Sequence, residues 1–597
     1  MEFIDSIIGG EEYDINEVKF NNNDVNITNF FKLPITYDNK IKNINDNVLN
    51  DIELKYNNIN DNNKNENIYK YLFNNNKNVY EKEIINQISS TYTTNKGFLK
   101  DTQQFIKQYN NNKDSQIDDN VKFIYDEWIT LKNLVYFKDK YQYITWPMFE
   151  FINKNALSLM ILSYYNLSSP LMSLVFPIIM LFIPFFIFKI RGIPITLNRY
   201  IDALKTTMAN NSFFYMIFNF KNSNFRDKIY MIVSVIFYFL QIYNNIKYCI
   251  DFYNNLNFIM NFYKKMEYFV AHTIIKINNI YNITVKLNNY TGFNNQLLEH
   301  KKNIIIIDKM IKSIQKPDSF VFQIGQIGNI MDIYYKLYNE EELHKSIMFS
   351  IGLHSFHNNI IDLNNLSNKN KISYAIFKNS KKNKNNKKKK INNVFKNSYY
   401  LPHINDEYVS NNLTLDKNII ITGPNASGKT TLIKSAIINQ LMTQQFGIGC
   451  YSSAKVNIYD NFHSYINIPD TSGRDSLFQA EARRCKEILD IINSDARQNN
   501  FCIFDELYSG TNPEDATEAS TSFLKFINNK KNCFFFITTH YIDICNNLKD
   551  DLYLMKMNSI IIDNNIKYTY KIIPGVSDVK AGNYVLKQFN YPKEITQ

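Results

Sequence analysis

Near its C-terminal end the chain has three short, almost wholly apolar runs, each followed at once by polar residues. They cover residues 419–421, 501–504 and 533–537. Short apolar runs with such boundaries are typical of buried strands. The first run is followed by a stretch that we interpret as an amphipathic helix. This pattern predicts an α/β domain, which we place at residues 371–597.

Two longer apolar runs lie in the middle of the chain. Residues 171–188 are uncharged and extended upstream by residues 156–167, whereas residues 229–246 become more polar towards their end. A helix of about 18 residues is just long enough to cross the hydrocarbon core of a membrane. We therefore predict one or two membrane-like segments within residues 156–250. The alternative is a pair of helices buried in the core of a soluble protein.

The segment between these two runs is basic. It carries seven Lys or Arg residues and two Asp residues, and basic segments tend to stay on the cytosolic side of a membrane. A two-helix hairpin would place this segment opposite the C-terminal domain. A stretch that enters the membrane and returns, broken at Pro170, Pro177 and Pro184, would keep all polar parts on one side. Both topologies stay open at this point.

Most other segments upstream of the C-terminal domain have apolar residues at three- and four-residue spacing, which predicts helices. Residues 1–155 form an Asn-rich, mainly helical region, and residues 251–370 a helical core or lever. Trp128 and Trp146 are typical either of helices near a membrane interface or of an ordinary aromatic core. Residues 378–390 are a run of Lys and Asn, which predicts a solvated insertion in the C-terminal domain.

Composition adds little to this picture. The net charge of +11 permits contact with nucleic acid or an anionic membrane without requiring either. The six cysteines form no C-x-x-C pair, which favours buried, reduced thiols over a zinc site. Five of them lie in the C-terminal domain: Cys450, Cys485, Cys502, Cys533 and Cys545.

The loop after the first apolar run has the chemistry of a phosphate-binding site. The spacing from Gly423 to Gly428 and Lys429 fits a P-loop, in which glycines let backbone N–H groups approach a polyphosphate. The following helix adds its N-terminal dipole. A chance glycine turn before a helix is the alternative. The expected ATP contacts are Gly423, Pro424, Asn425, Ala426, Ser427, Gly428, Lys429, Thr430 and Thr431.

The second apolar run ends in two carboxylates, Asp505 and Glu506. Asp505 is suited to hold Mg²⁺ together with Thr430, and Glu506 to act as general base on the attacking water. His540 follows the third run. A lone histidine is more often structural than catalytic, so His540 gains a role only from its context.

These motifs resemble the MutS family of ABC-type ATPases. Members carry ITGPN-x-x-GK[ST]T and DE-x-x-x-GT, which match residues 421–431 and 505–511. The Ser-x-Phe-x-x-Glu spacing that begins at Ser476 is similar to the family's signature segment. By its distance after the Asp-Glu strand, His540 matches the histidine that senses the γ-phosphate in ABC-type ATPases.

The resemblance implies an ATPase that binds ATP and Mg²⁺ and works as a homodimer through its ATPase domain. In the family, the serine that matches Ser476 contacts the nucleotide of the opposing subunit. The resemblance also implies a role in DNA mismatch repair or related DNA transactions, with duplex DNA as a partner. The Phe-x-Glu with which mismatch-reading members wedge into DNA occurs here only at residues 504–506, within the ATPase strand.

The apolar middle of the chain supports a second hypothesis, a membrane-anchored ABC-type ATPase that drives a membrane or protein partner without mismatch recognition. MutS-like proteins with membrane segments exist, and this chain resembles them in layout. On this hypothesis the protein is membrane-associated, with its ATPase domain facing the cytosol. Otherwise the resemblance implies a cytoplasmic or nuclear protein.

Overall fold

The computed structural model describes residues 26–55, 67–74, 76–194, 196–209, 224–314, 320–378, 393–415, 417–466, 468, 476–562, 565–577, 579, 586 and 591–592. The chain divides into two compact units that do not follow the order of the sequence. Among the described residues, the first comprises those within Asp119–His272 and Asn303–Lys345, and the second those within Asn22–Asp118, Thr273–Lys302 and Ser346–Gln597. The four consecutive regions expected from the sequence stay a prediction.

Helices dominate the described residues upstream of residue 370, as the apolar spacing predicts. Their bounds, in chain order, are α1 Asp46–Asp51, α2 Val79–Ser90, α3 Lys96–Gln108, α4 Ser115–Asn133, α5 Phe137–Lys140, α6 Ala156–Ile190, α7 Leu197–Ala209, α8 Phe225–Thr284, α9 Thr291–Ser313, α10 Phe320–Asn339 and α11 Glu341–Asn368. Those of the C-terminal domain are α12 Lys429–Phe446, α13 Leu477–Ser494, α14 Pro513–Asn528 and α15 Ile542–Leu548.

The strands form three sheets. Their bounds are β1 Ile41–Asn43, β2 Thr91–Thr93, β3 Ser373–Phe377, β4 Asn393–Ser398, β5 Asn411–Leu415, β6 Ile419–Thr422, β7 Ile448–Gly449, β8 Ser453–Val456, β9 Asn461–Tyr465, β10 Asn500–Asp505, β11 Cys533–Thr538, β12 Tyr553–Ile562 and β13 Asn565–Pro574. The largest sheet has the order β13-β12-β6-β11-β10-β9, and only β13 runs antiparallel to its neighbour. A second has the order β5-β4-β8-β3-β7, and β1 pairs with β2.

The first unit contains the apolar helix α6, which is continuous through Pro170, Pro177 and Pro184. The topology in which this stretch enters a membrane and returns is therefore wrong. Each proline removes one backbone donor and bends a helix, but the apolar residues between the prolines continue the helix. At 1.5 Å per residue, α6 is about 50 Å long.

The apolar middle of the chain gives one membrane candidate among the residues described. The helix over Lys228–Thr284, within α8, is long and apolar enough to cross a membrane by length and composition. The predicted basic segment contains α7, and its residues 210–223 lie outside the described residues. Trp128 is fully buried and donates from Nε1 to His344 Nδ1 at 2.9 Å, whereas Trp146 is 69% exposed.

In the second unit, the apolar core lies between the six-stranded sheet and helices α13, α14 and α15. Alternate residues of the central strands, such as Cys502, Phe504 and Ile537, face this core, as the two-residue period of a strand requires. The parallel pairing sets Asp505 opposite Thr538 on the next strand. The C-terminal ends of β6, β10 and β11, which precede the predicted site residues, therefore meet at one edge of the sheet.

Helix α12 packs on the other face and is buried on nearly all sides, so it is not the amphipathic helix that the sequence suggests. The described residues between 26 and 118 cover its outer side. The ring of Phe73 meets Phe446 edge to face, with centroids 6.2 Å apart, and Gln445 Nε2 donates to Thr91 O at 2.9 Å. Hydrogen bonds of this kind satisfy the buried side-chain amide of Gln445.

Of the other sequence expectations, the cysteines are free, and Cys450, Cys485, Cys502 and Cys545 are buried. The Lys-rich insertion at residues 378–390 lies, apart from Lys378, outside the described residues.

Candidate functional site

The loop between β6 and α12 has backbone conformations that favour glycine. Gly428 has a φ of 92° and immediately precedes the helix, and L side chains rarely adopt that value. A Cβ at Gly423 would lie 2.8 Å from Ser427 Oγ. Both glycines of the predicted motif are therefore required by the shape of the loop, which a chance glycine turn would not explain.

Lys429 lies under this loop, with 5% of its surface exposed. Its Nζ donates to Gly423 O at 3.0 Å and to Pro424 O at 3.3 Å. Burial lowers the pKa of the ammonium group, and the charges of Glu506 and Asp505 oppose that shift. The lysine is thus a buried cation aimed at the centre of the loop.

Thr430 and Asp505 are in direct contact, as expected for two residues that share a cation. Thr430 Oγ1 donates to Asp505 Oδ2 at 2.7 Å. The other carboxylate oxygen accepts a hydrogen bond from Thr538 Oγ1. Thr538 was not predicted from the sequence, although its place at the end of an apolar strand, beside the Asp-Glu strand, is the signal that identifies it.

Glu506 and His540 form a second pair at the same edge of the sheet. His540 Nε2 lies 2.9 Å from Glu506 Oε1, and hydrogen bonding from this histidine lowers the pKa of Glu506 despite its partial burial. Lys429 Nζ lies 3.0 Å from the same Nε2. One ring nitrogen cannot donate to Glu506 and accept from Lys429 at once. We assign the proton to Nε2, because a carboxylate is the stronger acceptor.

The loop fits a polyphosphate on the evidence of its own polar atoms. Ser427 is 1% exposed, and its Oγ has no hydrogen-bond partner among the residues described. Pro424 is buried, while Asn425, Ala426 and Thr431 are exposed around the loop. A buried hydroxyl without a partner costs free energy that a ligand oxygen would recover. The Thr430–Asp505 contact likewise provides the hard oxygen ligands that Mg²⁺ prefers.

Ser476 lies at a different place, as the N-cap of α13. Its Oγ accepts from Gln479 N at 3.4 Å, and the Gln479 side chain accepts from Ser476 N at 3.0 Å. This reciprocal pair is a capping box. Within the described residues, Ser476 makes no hydrogen bond to the glycine loop, so the structure does not bring it together with the other predicted site residues of the same chain.

Glu481 connects α13 to the loop that follows Glu506. It is 2% exposed and accepts from Ser509 Oγ at 3.0 Å and from Gly510 N at 3.1 Å. Tyr508 N, in the same loop, donates to Tyr465 OH at 3.1 Å. Glu481, the last residue of the Ser-x-Phe-x-x-Glu spacing, therefore holds the loop that follows Glu506 in place.

A glycine loop with a buried lysine, a threonine–aspartate pair and a glutamate–histidine pair, all at one edge of a parallel sheet, defines a candidate nucleotide-hydrolysing site. Residues 419–597 match the family model of MutS domain V. This part of the chain is therefore similar to the MutS family.

Several named proteins are similar to this part of the chain. The DNA mismatch repair protein MutS of Macrococcus caseolyticus is 28% identical over 199 residues, which cover 32% of this chain and 23% of the relative. The DNA mismatch repair protein Msh3 of Dictyostelium discoideum is 31% identical over 142 residues, 22% of this chain and 10% of the relative. Endonuclease MutS2 of Fusobacterium nucleatum is 26% identical, over 30% of this chain and 22% of the relative. The similarity thus spans less than a quarter of the length of these relatives.

Proposed function

We propose that the protein is an ATP-hydrolysing, MutS-like ATPase that works as a nucleotide-switched homodimer in DNA mismatch repair or a related DNA transaction. The observation that carries this proposal is the site itself. The Thr430–Asp505 contact of 2.7 Å and the Glu506–His540 contact of 2.9 Å lie beside the glycine loop, within the MutS-family part of the chain.

In this proposal the loop at residues 423–431 binds the phosphates of ATP through its backbone N–H groups and the N-terminus of α12. Lys429 gives up its hydrogen bonds to Gly423 and Pro424 and binds phosphate oxygens. Thr430 and Asp505 hold Mg²⁺, which neutralises charge on the phosphates when it is bound.

Glu506 is the proposed general base for hydrolysis. Its carboxylate accepts a proton from the attacking water, and its lowered pKa keeps it ionised at neutral pH. His540 holds that carboxylate by a hydrogen bond at 2.9 Å, and its Nε2 lies 3.0 Å from Lys429 Nζ, the proposed phosphate-binding group. The pair therefore links recognition of the phosphate to the position of the base.

The homodimer is supported by the position of Ser476. Ser476 is exposed at the start of α13, where its hydroxyl caps the helix. Among the described residues it makes no hydrogen bond to the glycine loop of its own chain. It is therefore accessible to the nucleotide of a second subunit, as the resemblance implies. Binding of ATP would then close the dimer, and hydrolysis would reopen it.

Phosphate release from ATP tests this function directly. The purified full chain should hydrolyse ATP in the presence of Mg²⁺, and Lys429→Ala should abolish turnover, while the exposed Lys525→Ala on α14 should leave it unchanged. Equal turnover in all three proteins would contradict the ATPase assignment. Turnover should also change on addition of duplex DNA, with an effect that weakens as salt is raised. DNA-independent turnover across the titration would contradict the DNA role.

A second candidate function is a membrane-anchored ATPase that acts on a membrane or protein partner, with its ATPase domain facing the cytosol. The observation that favours it is the apolar helix over Lys228–Thr284. Carbonate extraction of membranes from cells that express the tagged chain tests it. Release of the protein into the supernatant would contradict anchoring, whereas retention in the pellet together with DNA-independent turnover would favour this function over the first.

A further inference from the structure

A groove of about 430 Å³ opens between α14 and α15 in the second unit. Its walls come from residues three and four apart on α14, which share one face of that helix, and from the start of α15. The groove is separate from the glycine loop. The lining residues that matter are Glu514, Thr517, Glu518, Thr521, Asp543 and Asn547.

The groove is acidic. Glu514 and Glu518 lie four residues apart on α14, where like charges destabilise a helix, and Asp543 faces the same groove from α15. Within the part of the chain that the structure describes, none of these three carboxylates makes an ion pair. Three carboxylates around one groove attract a cation.

Thr521 points independently to a ligand. It is 8% exposed, lines the same groove, and its Oγ1 has no hydrogen-bond partner among the described residues. A buried hydroxyl is normally satisfied. Thr521 therefore offers an unused hydrogen bond at the floor of a groove whose rim is acidic.

The spacing of these groups favours a long cation over a compact ion. No three His, Cys, Asp or Glu side chains among the described residues are close enough to share a metal ion. Glu514 and Glu518 are about 6 Å apart along the helix axis, at 1.5 Å per residue. We propose that this groove binds an extended organic cation with two or more ammonium groups, which pair with the carboxylates while one N–H donates to Thr521.

Two sources supply this chemistry, a free polyamine or the lysine side chains of a polypeptide. Binding needs no nucleotide, so it can be measured separately from ATP hydrolysis. The probe is spermidine, titrated into the full chain by calorimetry at fixed ionic strength. Glu518→Gln should raise its Kd about tenfold, because one charge-assisted hydrogen bond is lost.

Thr521→Val keeps the shape of the floor and should raise the Kd a few-fold, whereas Asp550→Asn, an exposed acid outside the groove, should leave it unchanged. Thermal melting checks that each variant is folded. No binding of spermidine, or the same Kd in all four proteins, would overturn the proposal, since general charge attraction would then account for any heat.

A synthetic peptide with the sequence of residues 381–390 distinguishes the sources, with a Lys→Gln version as its control. If the lysine peptide displaces spermidine and binds the groove more tightly than spermidine does, the proposed site is supported and its ligand is a polypeptide. If spermidine binds more tightly than the lysine peptide, the proposed site is supported and its ligand is a free polyamine. Displacement by the Gln peptide would show that ammonium groups are not recognised, and would overturn the proposal.

Discussion

Glu506 is held in a strained backbone conformation at the end of β10. Its φ is 53°, a value that non-glycine residues rarely adopt and that often marks functional positions. Glu506→Gln keeps the size and the hydrogen bond with His540 but removes the base. We expect ATP to bind normally and steady-state turnover to fall at least about a hundredfold. Phosphate release and nucleotide binding check this, with the exposed Glu487→Gln as control; normal turnover would refute the assignment of the base.

Thr538 supports Asp505 from the neighbouring strand. Its hydroxyl donates to the carboxylate oxygen that does not meet Thr430. Thr538→Val preserves the volume and removes that donor, so Asp505 loses the group that orients it. We expect the Mg²⁺ concentration for half-maximal ATPase activity to rise about tenfold or more. Thr569→Val, on the β12–β13 hairpin, is the control, and an unchanged Mg²⁺ requirement would show that Thr538 is only structural.

Glu83 predicts a pH dependence of stability. Its Oε2 accepts from Ile27 N at 2.8 Å, and burial raises its pKa from 4.5 to about 7. Between those two values the folded state binds more protons than the unfolded state, so stability falls as pH rises through this window. Above pH 7 the ionised, buried carboxylate costs about 3 kcal/mol.

Glu83→Gln removes this titration and keeps an acceptor for Ile27. We expect the variant to be more stable than the natural chain at pH 8, and the difference to disappear near pH 4.5. Denaturant unfolding at both pH values measures it, with the exposed Glu340→Gln as control. A difference of equal size at both values would mean that the substitution acts through packing rather than through protonation.

At the scale of elements, α13 and the loop after β10 are joined by Glu481. The two carboxylate oxygens of Glu481 accept from Ser509 and Gly510. Glu481→Gln keeps one of these acceptors and replaces the other with an NH₂ group that faces a donor. We expect the loop to shift, and Glu506 to shift with it. We expect kcat to fall about tenfold or more while the KM for ATP stays the same, because a small misplacement of the base affects only the chemical step. Lys486→Gln on the exposed face of α13 is the control, and an equal rise in KM would contradict this positioning role.

The sequence predicted the elements of the site better than their surroundings. Short apolar runs followed by Asp505, Glu506 and His540 are local patterns, and parallel pairing brings the ends of such strands together. The burial of α12 is not local. The sequence predicts an amphipathic helix there, but Gln445 Nε2 donates to the carbonyl oxygen of Thr91, which lies 354 residues earlier. Contacts over such separations leave no periodic signal in either segment.

The helix α6 is continuous although its prolines predict breaks. Prolines are strong helix breakers in water, so three of them predict an interrupted segment. Yet α6 extends over Ala156–Ile190. Each proline removes a single backbone donor, so the other backbone groups of the segment can keep their helical hydrogen bonds and the helix continues.

At the scale of the whole molecule, each unit is assembled from stretches that are far apart in sequence. Residues 26–118 complete the unit that contains the candidate site, where Ser464 Oγ donates to Asp51 Oδ2 at 2.6 Å and Arg484 lies 3.4 Å from the same oxygen. Composition had separated this Asn-rich region from the α/β domain. Its role in covering the domain follows only from the three-dimensional contacts.

The proposed homodimer makes a prediction that only the whole assembly can meet. If each site takes Lys429 from one subunit and Ser476 from the other, then Lys429→Ala and Ser476→Arg chains are each inactive alone. Mixed dimers of the two variants have one site with both residues intact. An equal mixture that exchanges subunits freely should recover about a quarter of the natural activity, since half of the dimers are mixed and each has one working site.

Phosphate release after mixing at several ratios measures this recovery, and size-exclusion chromatography establishes whether dimers form. A mixture of Lys429→Ala with Glu506→Gln is the control, because both residues act in the same loop-bearing subunit and mixed dimers then contain no complete site. Activity that stays at zero in the first mixture, while dimers form, would mean that Ser476 serves its own subunit or only caps α13. Recovery in the control mixture as well would mean that the sites are not shared in this way.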